Sequence, residues 1–175
     1  MIPMPLTSVS AAYGLKDGLT AFAGIHTTSL AFGLFQTDIG LTQKLLEPKG
    51  YRPGLSVSPI ANLMLDKWEY NFKLYPEADI NAYWNYGKHN SYCYTGMFSW
   101  FELASKKAFD QDQPHHWLPG FSLGNTFCRS KWNFTIEAKY IAPFYSNRDL
   151  VVTYGSFGHS GAVGIYFGAT RKFGL

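Results

Sequence analysis

Cysteine is scarce in this chain: Cys93 and Cys128 are the only two in 175 residues. That excludes a fold held together by a disulfide framework. Charge is thin as well, at 15% Asp, Glu, Lys and Arg against 18% aromatic residues, which is the wrong balance for a disordered chain. Long apolar runs are missing; the longest comparable stretch, Leu30 to Phe35, falls far short of the ~18 residues a membrane-crossing helix requires. The net charge of +3 is scattered along the sequence, so composition carries no nucleic-acid footprint, and no nucleic-acid partner is expected. At the N-terminus, Met1-Ile2-Pro3-Met4-Pro5 has neither the basic nor the apolar region of a secretory signal. The expectation is one domain over 1–175, from a longer precursor lacking its signal peptide or a first N-terminal strand.

What is present is a period of two. Between Glu77 and Tyr86, Ala78, Ile80, Ala82, Trp84 and Tyr86 share one face, while Glu77, Asp79, Asn81, Tyr83 and Asn85 share the other. Between Trp132 and Phe144, Trp132, Phe134, Ile136, Ala138, Tyr140, Ala142 and Phe144 oppose Asn133, Thr135, Glu137 and Lys139. Such alternation is a strand signal that no helix would produce. The runs are longer than the usual strand of ~5–6 residues and reach the ~9–11 of a membrane-spanning β-strand. The same template predicts strands near 7–15, 19–28, 31–45, 54–65, 73–87, 91–103, 117–129, 132–144 and 161–173. Residues 149–156 are either a tenth strand or loop. Pro59, Pro119 and Pro143 blur some boundaries, because proline donates nothing to a ladder.

Connections alternate between short ones, at 16–18, 47–53, 87–90 and 129–131, and longer ones at 66–72, 104–116 and 145–160, with Thr28-Ser29 a tight exception. The fold class expected is all-β: an up-and-down antiparallel transmembrane β-barrel of about 8–10 strands. Aromatic residues gather toward both ends of the strands. Tyr13, Tyr86, Tyr92 and Trp132 lie toward the short turns, and Trp68, Tyr75, Trp100, Trp117 and Phe144 toward the long loops. Rings with an apolar body and a polar edge favour the two interfaces of a bilayer, so these residues are read as an aromatic girdle. The competing reading is a soluble barrel or sandwich with the rings in its core. The opposite face carries Asp38, Lys44, Glu77, Asp79, Asn81, Glu137 and Lys139, a polar cluster expected to line the lumen.

Tyr13-Gly14-Leu15-Lys16-Asp17-Gly18-Leu19-Thr20 resembles the strand–turn–strand unit of small Gram-negative outer-membrane β-barrels, and the whole is similar to an OmpA/OmpW-like membrane barrel architecture. The C-terminal segment 163–173 is similar to the terminal strand of that class, which ends in an aromatic residue read by the assembly machinery. Val163, Ile165, Phe167 and Phe173 carry the match; Arg171 stands where an aromatic residue is usual, and Gly174-Leu175 follow the expected last residue. The resemblance implies an integral outer-membrane location and two kinds of partner: the barrel-assembly machinery, and outer-membrane lipid or lipopolysaccharide. A protein partner in an envelope complex is a further expectation. If the Lys16 turn and the C-terminus share the periplasmic side, nine strands fit within the chain, or ten with one before Met1.

Chemistry is sparse. The expected role is structural: a rigid barrel that presents its long loops or anchors an envelope assembly. A narrow porin-like channel for small solutes or ions is the alternative, since an inner ring of charge can either pair up or line a pore. A lipid-modifying enzyme would need a base beside a nucleophile, for which His26, Ser99, Ser122 and His159-Ser160 are the candidates. No catalytic residue is assigned, and no cofactor or metal is expected. His115 and His116, with Asp110 and Asp112, have no fixed turn to converge on a cation, and Lys106 and Lys107 could instead meet lipopolysaccharide phosphates. Cys93 and Cys128 are both expected on the inward face, either bonded or as two thiols.

Overall fold

The computed structural model describes residues 7–67, 72–103, 105, 112–146, 155–157 and 159–173. The protein is all-β. Its elements are β1 (Ser8–Lys16), β2 (Leu19–His26), α1 (Thr27–Ala31), β3 (Leu34–Leu46), β4 (Gly54–Asp66), β5 (Phe72–Tyr86), β6 (Ser91–Phe101), β7 (Trp117–Cys128), β8 (Trp132–Ser146), β9 (Gly155–Phe157) and β10 (Ser160–Arg171). Hydrogen bonding orders them as β1 through β8, then β10 and β9. Chain neighbours are therefore sheet neighbours up to β8, the up-and-down pattern that short turns impose on antiparallel strands.

Most strand limits lie within a few residues of those the alternation predicts. Two regions differ. The chain between the second and third strands turns through the five-residue helix α1 rather than a tight bend, and Phe32 and Gly33 close it through bonds to Ser29 and Leu30 carbonyls of 3.0 Å each. Of the segment 149–156, residues 149–154 lie outside the described residues. Its described part lies in β9, paired with β10 at Ser160↔Phe157 and Val163↔Gly155.

Proline and glycine mark the irregular points. Asp17-Gly18 joins β1 to β2, and Gly18 takes φ 75°, a left-handed conformation that suits glycine in a two-residue hairpin turn. Pro143 has no N–H for the ladder, and there the β8–β10 pairing jumps from Ala162↔Ile141 to Ser160↔Ser146. Ala142 absorbs the jump at φ 47°, fully buried.

The chain divides into two compact units, one of 1–43, 57–79 and 99–118 and another of 44–56, 80–98 and 119–175. In each, the periodicity of two sorts side chains by size and polarity. In the first unit the ring of Phe22 lies over its cross-strand partner Gly40. The second unit repeats the device. Phe98 covers Gly120, Tyr94 covers Gly124 and Tyr83 covers Gly54; a Cβ at any of these glycines would enter the ring. Glycine here is needed for close approach, because a large ring can lie flat only on backbone without a side chain. Large rings and missing side chains thus fill space together, as close packing of protein interiors requires.

Gly124→Ala should force the Tyr94 ring off its seat and lower stability by roughly 1–3 kcal/mol, the usual cost of overpacking. Urea unfolding followed by tryptophan fluorescence measures it. Ala at Gly14 in β1, where nothing lies near the added carbon, should leave that packing cost absent.

Candidate functional site

The enclosed face of the first unit is polar. Ser58, Asn62, Glu77 and Glu102 are all buried. Strand parity brings three of them there: Ser58 and Asn62 sit four residues apart on β4, and Glu77 is on β5 next to it. Asn62 Nδ2 donates to Glu77 Oε2 at 2.8 Å and to the Tyr75 carbonyl at 3.2 Å. The Tyr75 hydroxyl donates to the Glu102 carboxylate. Ser58 and Thr42 share a hydroxyl hydrogen bond of 2.9 Å. His26 on β2 donates from Nε2 to Asp38 Oδ2 on β3 at 2.7 Å. Gly24 is the cross-strand partner of Asp38. Asp79 shares this face, half-buried.

The corresponding face of the second unit joins charge to aromatic rings. Tyr94 donates to Glu137 Oε2 at 2.7 Å, and Lys139 Nζ lies 3.7 Å from Glu137 Oε1. The Lys139 ammonium also stands 5.1 Å from the centre of the Phe98 ring and 5.9 Å from that of Tyr166. A cation between a carboxylate and two ring faces is stabilised by both. Asn81 packs against Gly96, Ser122 is buried, and Thr126 and Thr135 share a 2.9 Å hydroxyl bond.

The residues expected to form a lumen cluster fall in both units, Asp38, Glu77 and Asp79 in the first and Lys44, Asn81, Glu137 and Lys139 in the second. Glu77 is buried, and Asp38, Asp79, Asn81, Glu137 and Lys139 are half-buried. Lys44 differs. Its side chain is 41% exposed and bonds Glu47 at 2.6 Å beside the β3–β4 turn.

The girdle residues divide. Tyr13, Tyr86, Trp132, Trp117 and Phe144 are exposed, as the reading of an outer girdle requires. Tyr75, Tyr92 and Trp100 are not on that face. Tyr75 shares parity with Glu77 and bonds Glu102, Tyr92 packs edge-on to Tyr83 at 6.3 Å, and the Trp100 indole nitrogen is enclosed. Parity, not position along the strand, decides which way a ring points. Trp68 lies outside the described residues. Ile165 and Phe167 are exposed, Val163 is half-buried on the same face, and Phe173 is exposed.

The two thiols do not share a face. Cys93 is exposed and Cys128 buried, and both are free. The inward placement expected for Cys93 fails because β6 turns Tyr94, Gly96 and Phe98 inward, leaving odd positions outside. Among the described residues no group of three His, Cys, Asp or Glu converges as a metal site. His116 spends Nδ1 on the Glu102 carbonyl at 2.8 Å; Lys106, Lys107 and Asp110 lie outside the described residues. The hydroxyls proposed as nucleophiles are committed elsewhere or apart: Ser99 Oγ accepts from Trp117 at 3.2 Å, and His26 bonds Asp38. His159 is exposed beside half-buried Ser160.

Sequence reading missed Asn62, Glu102, Tyr94 and Tyr166. Parity within β4, β6 and β10 was the available signal for three of them, whereas Glu102 follows the end of β6 and has no parity to read. No helix among the described residues is long and apolar enough to cross a membrane. Comparison with protein families, with curated proteins and with solved structures matches none of them to this chain.

Asn62→Leu should leave the Glu77 carboxylate buried without its amide donor and cost about 1–3 kcal/mol, read from the urea midpoint. In the native protein a maleimide reagent should label Cys93 alone; Cys128 should react only after unfolding. Equal labelling of both would overturn the placement of β6.

Proposed function

We propose that this chain is a small outer-membrane β-barrel with a structural, scaffolding role, holding its longer connections toward a partner or anchoring an envelope assembly. One observation carries the reading: exposure is inverted. Phe121, Leu123, Phe134, Ile136, Ile165 and Phe167 on neighbouring strands of the second unit are 41–79% exposed, while Glu77, Asn62 and Ser58 of the first unit are among the most enclosed side chains. In water, burying one such apolar side chain is worth ~1.5–3 kcal/mol, and monomeric soluble proteins rarely leave contiguous apolar areas above a few hundred Å². Lipid removes that penalty. Val9, Ile25, Ile39 and Leu41 give the first unit the same apolar exposure.

The enclosed polar groups favour a scaffold over a pore. Glu77 is bonded by Asn62 within the first unit, and Glu137 by Tyr94 with Lys139 beside it within the second. Within each unit, rings laid on glycines fill further space on the same face. On this reading the assembly machinery meets the terminal strand through Val163, Ile165, Phe167 and Phe173, and lipid or lipopolysaccharide meets the apolar band.

The sign of one substitution separates a membrane from a soluble setting. Ile165→Arg on the exposed band should destabilise the bilayer-inserted protein by about 2–4 kcal/mol, measured by reversible unfolding from vesicles. In a soluble protein an arginine at a 65%-exposed position should be nearly neutral. The native chain should also require detergent and shift its electrophoretic mobility on heating. A chain that stays monomeric and soluble without detergent would overturn the membrane reading. Planar-bilayer recordings should show no stable conductance; a conductance abolished by Glu77→Gln with Asp79→Asn would replace the scaffold with a channel.

A further inference from the structure

Basic residues scattered through the sequence are gathered by the second unit. The turn 47–53 carries Lys49 and Arg52, the turn 87–90 carries Lys88, 129–131 carries Arg129 and Lys131, and 171–173 carries Arg171 and Lys172. Two, one, two and two make seven of the chain's 15 Lys and Arg. Glu47 is the one carboxylate in these stretches, and Lys44 engages it at 2.6 Å. Antiparallel alternation brings the four stretches to the same end of the strands, and Arg171 is the direct cross-strand partner of Trp132.

Six of the seven are exposed and Lys172 is half-buried. Among the described residues none has a carboxylate within ion-pair distance. Backbone bonds tie part of the group together. Lys172 Nζ reaches the Arg129 carbonyl at 3.2 Å, the Lys172 amide bonds the Lys131 carbonyl at 2.9 Å, and Arg129 Nη1 bonds the Cys128 carbonyl at 3.0 Å. Concentrated positive charge held close without counter-charge is a site for anions.

What lies next to the charge identifies the anion. The Arg171 guanidinium stands 5.2 Å from the Phe173 ring, itself 81% exposed. Trp132 and Phe134 stack at 6.4 Å with 16° between their planes, both exposed. Beyond them on the same face come Ile136 and Ile165. The order is cation, ring, aliphatic: the order of phosphate, interface and acyl chain in a lipid leaflet. An acidic protein or a nucleic acid would match the cations but not the aliphatic surface behind the rings.

We infer that this rim binds the head groups of anionic phospholipids, with Lys131, Arg171 and Lys172 at its centre. The inference rests on the barrel reading above. The test inserts the full chain into phosphatidylcholine vesicles containing a trace of spin-labelled phosphatidylglycerol or spin-labelled phosphatidylcholine. Electron paramagnetic resonance then reads the fraction of each label immobilised at the protein surface.

Phosphatidylglycerol should be enriched about threefold or more, and the preference should shrink as salt rises from about 0.05 to about 1 M. The triple substitution Lys131→Gln, Arg171→Gln, Lys172→Gln should abolish it while the heat-dependent mobility shift is retained. Should the triple variant misfold, Arg171→Gln alone should lower the enrichment measurably. Equal immobilisation of the two labels overturns the inference, as does a preference unchanged in the folded variants. Retention of soluble polyglutamate by the detergent-solubilised chain, without lipid preference, would overturn it in favour of an acidic protein. Failure to insert into any bilayer would sink the barrel reading itself, a different result from insertion without preference.

Discussion

Every other feature of this protein depends on the two-residue repeat of the β-strand, which gives each strand two faces and allows no third choice. Once most large apolar side chains take one face, polar residues have to take the other: Asn62 and Glu77 in the first unit, Glu137 and Lys139 in the second. Each must find its partners within its own unit, since a buried charge without partners is far more costly than a surface ion pair is favourable. The contacts Asn62–Glu77, Tyr94–Glu137 and His26–Asp38 are the local answers to that demand. Aromatic rings resting on glycines fill what the polar groups leave. The inner face is therefore held by hydrogen bonds and stacked surface together, not by an oil-like core.

Alternation made the fold readable. β5 and β8 announce themselves because ten or more successive residues obey it, and their limits in space differ little from those in sequence. Where alternation lapses, reading fails. Residues 27–31 contain Thr27, Thr28 and Ser29, which say nothing about helix, and α1 forms there within the connection between two strands. Pro143 signalled trouble at the end of β8 without specifying its form, which is a jump in register taken up at Ala142.

The polar cluster was legible for the same reason as the strands, and its partners were not. Parity places Glu137 inward but cannot say that Tyr94, 43 residues earlier, will donate to it. Tyr75 and Trp100 lie near strand ends, yet odd or even numbering rather than that position decides their face, and Cys93 is exposed where a hairpin centred near residue 110 predicts an inward thiol. The basic rim was invisible as a cluster because its members come from four separate stretches of chain, and only the antiparallel order collects them.

The ring-on-glycine pairs have a consequence for how the strands find one another. Tyr94 and Phe98 are four residues apart, as are Gly120 and Gly124, and each ring seats on one glycine. A pairing error of one residue would turn Glu137 and Lys139 to the apolar face. An error of two keeps polarity correct but brings Ser122 beneath a ring and leaves neither ring on its own glycine. An error of four restores only one of the two seats. Hydrophobic alternation alone tolerates every even slip; the spacing of these glycines does not, so it acts as a proofreading ruler for assembly.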